Sequence, residues 1–371
     1  MKKKMALLVA TMLTIGSIAG CANTTTQKAE DTTTESTAEG TSGDSTSTDS
    51  TSADGESTVE PELELIVAHN QTSLENPYAL ATIKFKEEVE KLSGGKIQVT
   101  LHHGTLGENE SELIEKLNMG AADMVVASPG FMTEIGVPEV DIFSLLYLFD
   151  SFDHWEKAVD GEFGDAMKQV ITDKTGNQFK VMGYWSSGVR NFYGKKAITT
   201  PDDVKGMTIR TQSSKVQQDF WINCGAVPTT VAWGELYQAL QQGVVDSAEN
   251  DYTSLMLKEH HKTENGKFIS ETNHDYTTRL FLMDGTKYDQ LTEEQKGWID
   301  AACETATAEE RSIVYKMADE SKAKVIADGA TVTENADMDI DAFKAIALPI
   351  QDQFAADNNM EQYLDMIRAL E

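Results

Sequence analysis

"IQVTLHHGTLGENESELIEKLNMGAADMVVAS" (Ile97–Ser128) changes its pattern twice. "IQVTLH" reads as a strand, "NESELIEKLNMG" as a helix ended by Gly120, and "ADMVVAS" as another strand. Upstream, Leu63, Leu65 and Val67 of "ELELIVAHN" alternate with their neighbours, which predicts an earlier strand. "NPYALATIKFKEEVEKLSGGK" lies between. Its apolar positions Leu80, Ile83, Phe85 and Val89 fit one helical face, and Gly94-Gly95 stops it. The resulting βαβαβ order predicts an α/β fold with a largely parallel sheet and right-handed crossovers.

The pattern returns downstream. "QFKVMGYWSSG" is a strand leaving the first lobe, and "MTIRTQ" is a short buried strand. "SKVQQDFWINCG" and "TVAWGELYQALQQG" contain helices closed by glycine, and "VVDSAEN" is again a strand. Two α/β units joined by crossing strands predict two lobes with a cleft. From Leu291 to about Ala327 there is no proline and one internal glycine, which predicts one long helix or two continuous ones bracing both lobes.

The ends and the composition set the compartment. "MKKK" followed by the apolar run to Gly20 is a secretory signal, with a lone transmembrane helix as the rival. "SIAGC" resembles a bacterial lipobox, which makes Cys21 the acylated N-terminus and membrane anchor. From Ala22 to about Pro61 the chain is rich in Ser and Thr and has no aromatic residue, as expected of a disordered tether. A glycosylated stalk is the alternative. The formal charge of -30 excludes nucleic acid and electrostatic docking on anionic lipid. It leaves room for one local positive pocket. Cys224 and Cys303 make no disulfide framework and have no metal-ligand spacing.

Arg210 closes the apolar "MTI" strand of this acidic chain. Ligands of open α/β sheets bind beyond the carboxyl ends of strands, and a guanidinium matches a carboxylate in bidentate fashion. A structural ion pair would also explain such an arginine. Arg190 in "GYWSSGVRNFYG" is a second cation, among aromatic residues suited to a ligand ring or to core packing. Glu249 and Asn250 of "VDSAEN" stand just past a strand; Asn250 suits either a ligand contact or a turn cap. His102-His103 and His260-His261 are adjacent pairs, poor metal clamps because strand neighbours point to opposite faces. No nucleophile elbow, phosphate loop or dinucleotide fingerprint occurs. "DMDIDAF" lacks the turn glycine and closing glutamate of a calcium loop. No cofactor, metal or catalytic residue is therefore expected.

From about Leu63 onward the chain resembles the DctP-type substrate-binding proteins of TRAP (tripartite ATP-independent periplasmic) transporters. The residues that carry this are "GGKIQVTLHHGTLGENESELIEKLNMGAADM", "GVRNFYGKKAITTPDDVKGMTIRTQSS", "GAVPTTVAWGELYQALQQGVVDSAEN" and "LTEEQKGWIDAACETA". The resemblance implies a monomeric, non-enzymatic, two-lobed binding protein with crossing hinge strands. It would hand an organic acid to a permease with a small and a large membrane subunit. Lobe 1 would hold 62–187 and about 276–315, lobe 2 188–275 and about 316–371, after a signal of residues 1–20 and a tether of 21–61. Arg210 would make the main carboxylate salt bridge and Arg190 a second one. Trp233 would line the pocket, Asn250 would hydrogen-bond the ligand, and Glu134, His69 or Asn70 would face it from lobe 1. "IRTQSS", "GELYQALQQGVVDSAENDYTS" and "DHWEKAVDGEFGD" look like the branch for hexuronates and related sugar acids. That branch usually has Gln at Thr211, Asn at Asp251 and Gly at Ser247. A C4-dicarboxylate is the alternative ligand. A receptor-linked sensing protein or an unrecognised enzyme is the alternative class.

Overall fold

The computed structural model describes residues 60–107 and 109–370. The expected signal, Cys21 and nearly all of the tether lie outside the described residues.

The first half is built as its sequence pattern predicts. Strands β1 (Leu63–His69), β2 (Ile97–His103) and β3 (Met124–Ala127) alternate with helices α1 (Pro77–Leu92) and α2 (Glu110–Asn118). β1 pairs in parallel with both β2 and β3. Asn76 caps α1 and Asn109 caps α2, each accepting a backbone N–H through its side chain. On α1, Phe85 and Val89 are buried as expected, but Leu80 and Ile83 are only half-buried. The reason is that α1 packs against the sheet and a second helix together, so Tyr78 and Ala81 complete its covered surface.

Helices α3 (Phe152–Val159) and α4 (Glu162–Lys174) follow, then the 16-residue strand β4 (Phe179–Gly194). The second half holds β5 (Thr208–Thr211), α5 (Lys215–Asn223), β6 (Val227–Thr230), α6 (Leu236–Gln241), β7 (Ser247–Asn250) and α7 (Tyr252–Leu257). The 17-residue β8 (Phe268–Asp284) then returns to the first half. The sheet order is β2-β1-β3-β8-β4-β7-β5-β6, and β9 (Thr331–Thr333) pairs β8. β5 is parallel to β6 and β7. The two long strands are antiparallel to each other and to the neighbours that join them to each half. The parallel character therefore belongs to the two ends of the sheet, and the antiparallel pair carries the chain between them.

The β4–β8 pairing is interrupted between Ser186 and Val189. Gly188 there has φ 88°, and a Cβ at that position would lie 3.0 Å from the Asp251 Cβ. Left-handed backbone and close approach both require glycine at this bulge.

After α8 (Gly285–Gln290), α9 (Glu293–Ala327) is one continuous helix of 35 residues, roughly 52 Å long at helical rise. A capping box at Thr292 and Gln295 starts it. Its Ile299, Ala302 and Ala306 join the core of the first half, whereas Val325 joins a cluster with Leu236, Ala248 and Ile269 in the second. It therefore braces both halves, as expected. The C-terminal segment divides differently from the expectation for 316–371. Phe343 and Ala347 of α10 (Ile340–Asn358) pack with Phe220 and Trp221 of α5. Phe354, Ala355 and the α11 (Glu361–Arg368) residues Leu364 and Ile367 instead join Trp155, Phe163 and Met167 in the first-half core. The apolar face of α11 finds its cover on α3 and α4, so the last twenty residues follow the first half. Cys224 and Cys303 are free and buried among apolar side chains.

Candidate functional site

The β5 strand aims its residues to two sides. Met207 and Ile209 enter the core with Phe220 and Trp221. Arg210, the next residue after Ile209, points away from that core. It is 6 % exposed and lines a cavity of about 300 Å³ between the two halves. Its Nε donates to the Val231 carbonyl at 3.0 Å, and its guanidinium lies 5.9 Å from the Trp233 ring centre. Among the described residues no carboxylate comes within ion-pair distance. Burial lowers its pKa, with Glu249 opposing and Arg190 reinforcing that shift.

Arg190 has the opposite fate. It is fully buried and does not line the cavity. Its Nε donates to the Glu249 carboxylate, its Nη2 to the Glu249 carbonyl at 2.7 Å and its Nη1 to Asn250 Oδ1 at 3.1 Å. Burial alone would raise the Glu249 carboxyl, but Arg190 and His274 hold it down at about 2. The expected second carboxylate contact is thus a structural ion pair, because Glu249 has already taken its donors.

That ion pair orients Asn250. Glu249 and Asn250 are the last residues of β7 itself, not a turn beyond it, so they point to opposite faces. Asn250 Oδ1 accepts from Arg190 and from the Asp251 N–H at 3.0 Å. Its amide nitrogen, a donor by chemistry, takes no part in these contacts, and the residue lines the cavity.

The first half contributes Asn70, just beyond β1, and Glu134. Asn70 Oδ1 accepts from Gln71 Nε2 at 2.9 Å, and its amide donates to Glu110 at 3.4 Å. Glu110 in turn accepts from the Ser128 N–H at 2.7 Å, tying α2 to the end of β3. Glu134 accepts from Ser111 Oγ at 2.7 Å and from Ser213 Oγ at 2.9 Å, so one carboxylate clips the two halves together at the cavity rim. Trp233 Nε1 donates across to Gln71 Oε1 at 3.2 Å, and Lys258 to Thr72 at 3.4 Å. Gly130 permits this closeness, since a Cβ there would lie 2.8 Å from the Ser213 carbonyl.

Of the residues singled out in the sequence, Arg210, Asn250, Trp233, Glu134 and Asn70 come together around one cavity. His69 does not join them. Its Nδ1 accepts from the Gln71 N–H at 3.1 Å, so its Nε2 is the donor to His103 Nδ1 at 2.8 Å. Burial and His103 push its pKa down to about 3, which leaves a neutral ring supporting the wall. Thr211 is fully buried, and Gln212 lines the cavity instead. Asp251 caps α7 by accepting from the Ser254 N–H at 2.9 Å.

One lining residue escaped the sequence analysis. Arg279 sits in "TTRLFLM" (Thr277–Met283) of β8, is 5 % exposed and faces the cavity. Its signature is that of Arg210, a lone cation at the edge of an apolar run. The chain has five arginines. Arg190, Arg311 and Arg368 pair with Glu249, Asp160 and Asp352. The other two, Arg210 and Arg279, both line the cavity. Among the described residues no cluster of three or more His, Cys, Asp or Glu could hold a metal ion, and no helix is long and apolar enough to cross a membrane.

Residues 67–358 match the profile of the DctP family, bacterial extracellular solute-binding protein, family 7. The chain belongs to this family. A solute-binding protein of Verminephrobacter eiseniae is 31 % identical over 290 residues, covering 76 % of this chain and 82 % of that protein. The family member is also similar to two solved TRAP periplasmic solute-binding proteins. One, from Sulfitobacter sp. NAS-14.1 with bound β-D-galacturonate, is 28 % identical with a TM-score of 0.76, covering 82 % of this chain and 99 % of the other. The second, from Roseobacter denitrificans with bound β-D-glucuronate, is 27 % identical with a TM-score of 0.77, covering 83 % and 100 %. DctP-family proteins are extracytoplasmic solute binders that take small organic acids and work with TRAP membrane permeases.

Proposed function

We propose that this protein captures a sugar acid, with a uronate as the principal ligand, and delivers it to the small and large subunits of a TRAP permease. The observation that carries this is Arg210, a nearly buried cation without a carboxylate partner among the described residues, in a cavity between the two halves. A ligand carboxylate supplies the missing charge, and exclusion of water strengthens the contact. The Asn250 amide donates to a ligand oxygen beside it, and the Trp233 face covers the sugar ring. The polar residues around the cavity suit several hydroxyls better than a short apolar acid.

The protein performs no chemistry on its ligand. Lobe 1 comprises 62–187, about 276–315 and the last twenty residues; lobe 2 comprises 188–275 and about 316–350. They close about the bulge at Ser186–Val189. Glu134 clips the closed state through Ser213, and ligand favours closure by its difference in affinity between the two states. The mature chain works as a monomer held to the membrane by a lipid on Cys21.

A thermal-shift screen of the purified protein against uronates, aldonates, C4-dicarboxylates and keto acids tests the proposal. A true ligand at a hundredfold over its Kd adds about 2.7 kcal/mol of stability. Uronates should give the largest shift. No shift with any carboxylate would sink the organic-acid reading, and a larger shift with C4-dicarboxylates would replace the substrate.

A further inference from the structure

Arg279 has no part in the function proposed above. It is 95 % removed from solvent, and its Nη1 donates to the Thr278 carbonyl at 3.1 Å. Among the described residues, its buried Nε–H has no acceptor and no carboxylate lies within ion-pair distance, in a chain that pairs three of its five arginines. A buried guanidinium with an unmet donor is costly unless something else accepts from it.

Register says where it stands. The last β3–β8 pair is Ala127 with Leu280, so Arg279 lies one step past the carboxyl end of β3. Across β4 it pairs with Trp185. Arg210 pairs with Ala248 of β7, which pairs with Tyr193 of β4. The two arginines are therefore eight positions apart along β4, roughly 25 Å of extended strand before the bulge shortens it. Both still line one cavity. Arg279 reaches it from beyond β3 and Arg210 from the end of β5. A single carboxylate held by Arg210 does not satisfy Arg279.

We propose that Arg279 binds the end of the ligand remote from Arg210, so that the site selects six-carbon acids with an oxygen at both ends and holds the dicarboxylates among them, the hexarates, most tightly. This rests on Arg210 holding the first carboxylate, and it refines the sugar-acid reading above: a hexarate, absent from the thermal-shift screen, should bind more tightly than the uronates. The surroundings of Arg279 agree with a second anion. Asp275, buried near Arg279 and Arg190, is pushed up to about 7 by desolvation, and Glu310 to about 8. The charges of Glu110 and Asp275 reach Arg279, and neither carboxyl pairs with it at ion-pair distance. A neutral oxygen at the far end accepts from the same donors with less gain, and a methyl group leaves them unmet.

Calorimetric titration of the purified full-length protein with galactarate, galactonate and 6-deoxygalactonate tests this, with galacturonate as a control for the site. The three acids share one end and differ at the other by carboxylate, hydroxyl and methyl. The expected order is galactarate, then galactonate, then 6-deoxygalactonate, with about tenfold in Kd at each step. Arg279→Gln should compress the series to within a few-fold, and Arg279→Lys should leave it intermediate. If the variants do not fold, the wild-type series decides alone. Galacturonate binding without a preference for galactarate over 6-deoxygalactonate overturns the inference and leaves the Arg210 site standing. A folded Arg279→Gln that keeps the wild-type ratios also overturns it. Failure of all four acids removes the organic-acid function and this inference with it.

Discussion

Arg190 and Arg210 stand on strands that share one neighbour, β7, yet they live in different surroundings. Arg190, on β4, is enclosed with Glu249 and aligns Asn250. Arg210, on β5, faces the cavity with one backbone acceptor and the Trp233 ring. Residue type and family motif nominated both for the same task. The difference is the partner: a buried cation already neutralised by the protein serves the fold, whereas one left without a counter-charge awaits the ligand. Arg279 falls on the second side of that division.

The largest effect should come from breaking the satisfied pair. Arg190→Ala leaves Glu249 charged and buried, and should cost about 3–5 kcal/mol of stability in chemical denaturation. Arg210→Ala should change unliganded stability by less than about 1 kcal/mol, because no ion pair is lost. Equal losses in the two variants would erase the distinction. For ligand affinity the order reverses. Arg210→Ala should weaken uronate binding by about 2–5 kcal/mol in calorimetry. An equally tight variant would mean that the cavity holds its ligand without this cation.

The buried carboxyls under the crossing strands add a pH signature. Burial raises Glu310 to about 8 and Asp275 to about 7, so both bind more protons folded than unfolded in the window from about 4 to 8. Stability is full below the unfolded values and falls as pH rises through the folded ones. Glu249, held at about 2, works in the opposite sense, but only at acid pH. His69 and His260, held neutral at about 3, work against this loss up to about pH 6.5, so the readout is the difference between wild type and Glu310→Gln: the wild-type Tm should fall relative to that of the variant from pH 5 to pH 8. A difference that stays constant across this window would contradict the protonated state of Glu310. The smallest effect is at the rim. Glu134→Ala removes the clip to Ser213 and should weaken ligand binding by about 1 kcal/mol, seen as faster dissociation in stopped-flow measurements.

Much of the fold is legible in the chain. Glycine stops, strand alternation and the proline-free run from Leu291 mark the elements, because backbone permissiveness and burial act locally. The site is legible in part. Arg210 shows itself as a cation at the end of an apolar strand, and Arg279 shows the same mark inside "TTRLFLM". The family resemblance placed His69 at the cavity. The packing of His103 and Gln71 turns it into the wall. The range of about 316–371 expected for the second lobe included α11. Its apolar face is covered by α3 and α4, which no local pattern reveals.

By itself, the sequence determined which segments are strands and helices, that the chain is acidic with few arginines, and that Arg210 closes a strand. Those properties depend on side-chain chemistry and short-range backbone preference. Only the tertiary structure decided which arginine is spent on Glu249 and which two face the cavity, because pairing is a matter of distance between strands far apart in the chain. In the buried interior, where water no longer compensates charge, that distance separates a structural cation from one available to a ligand.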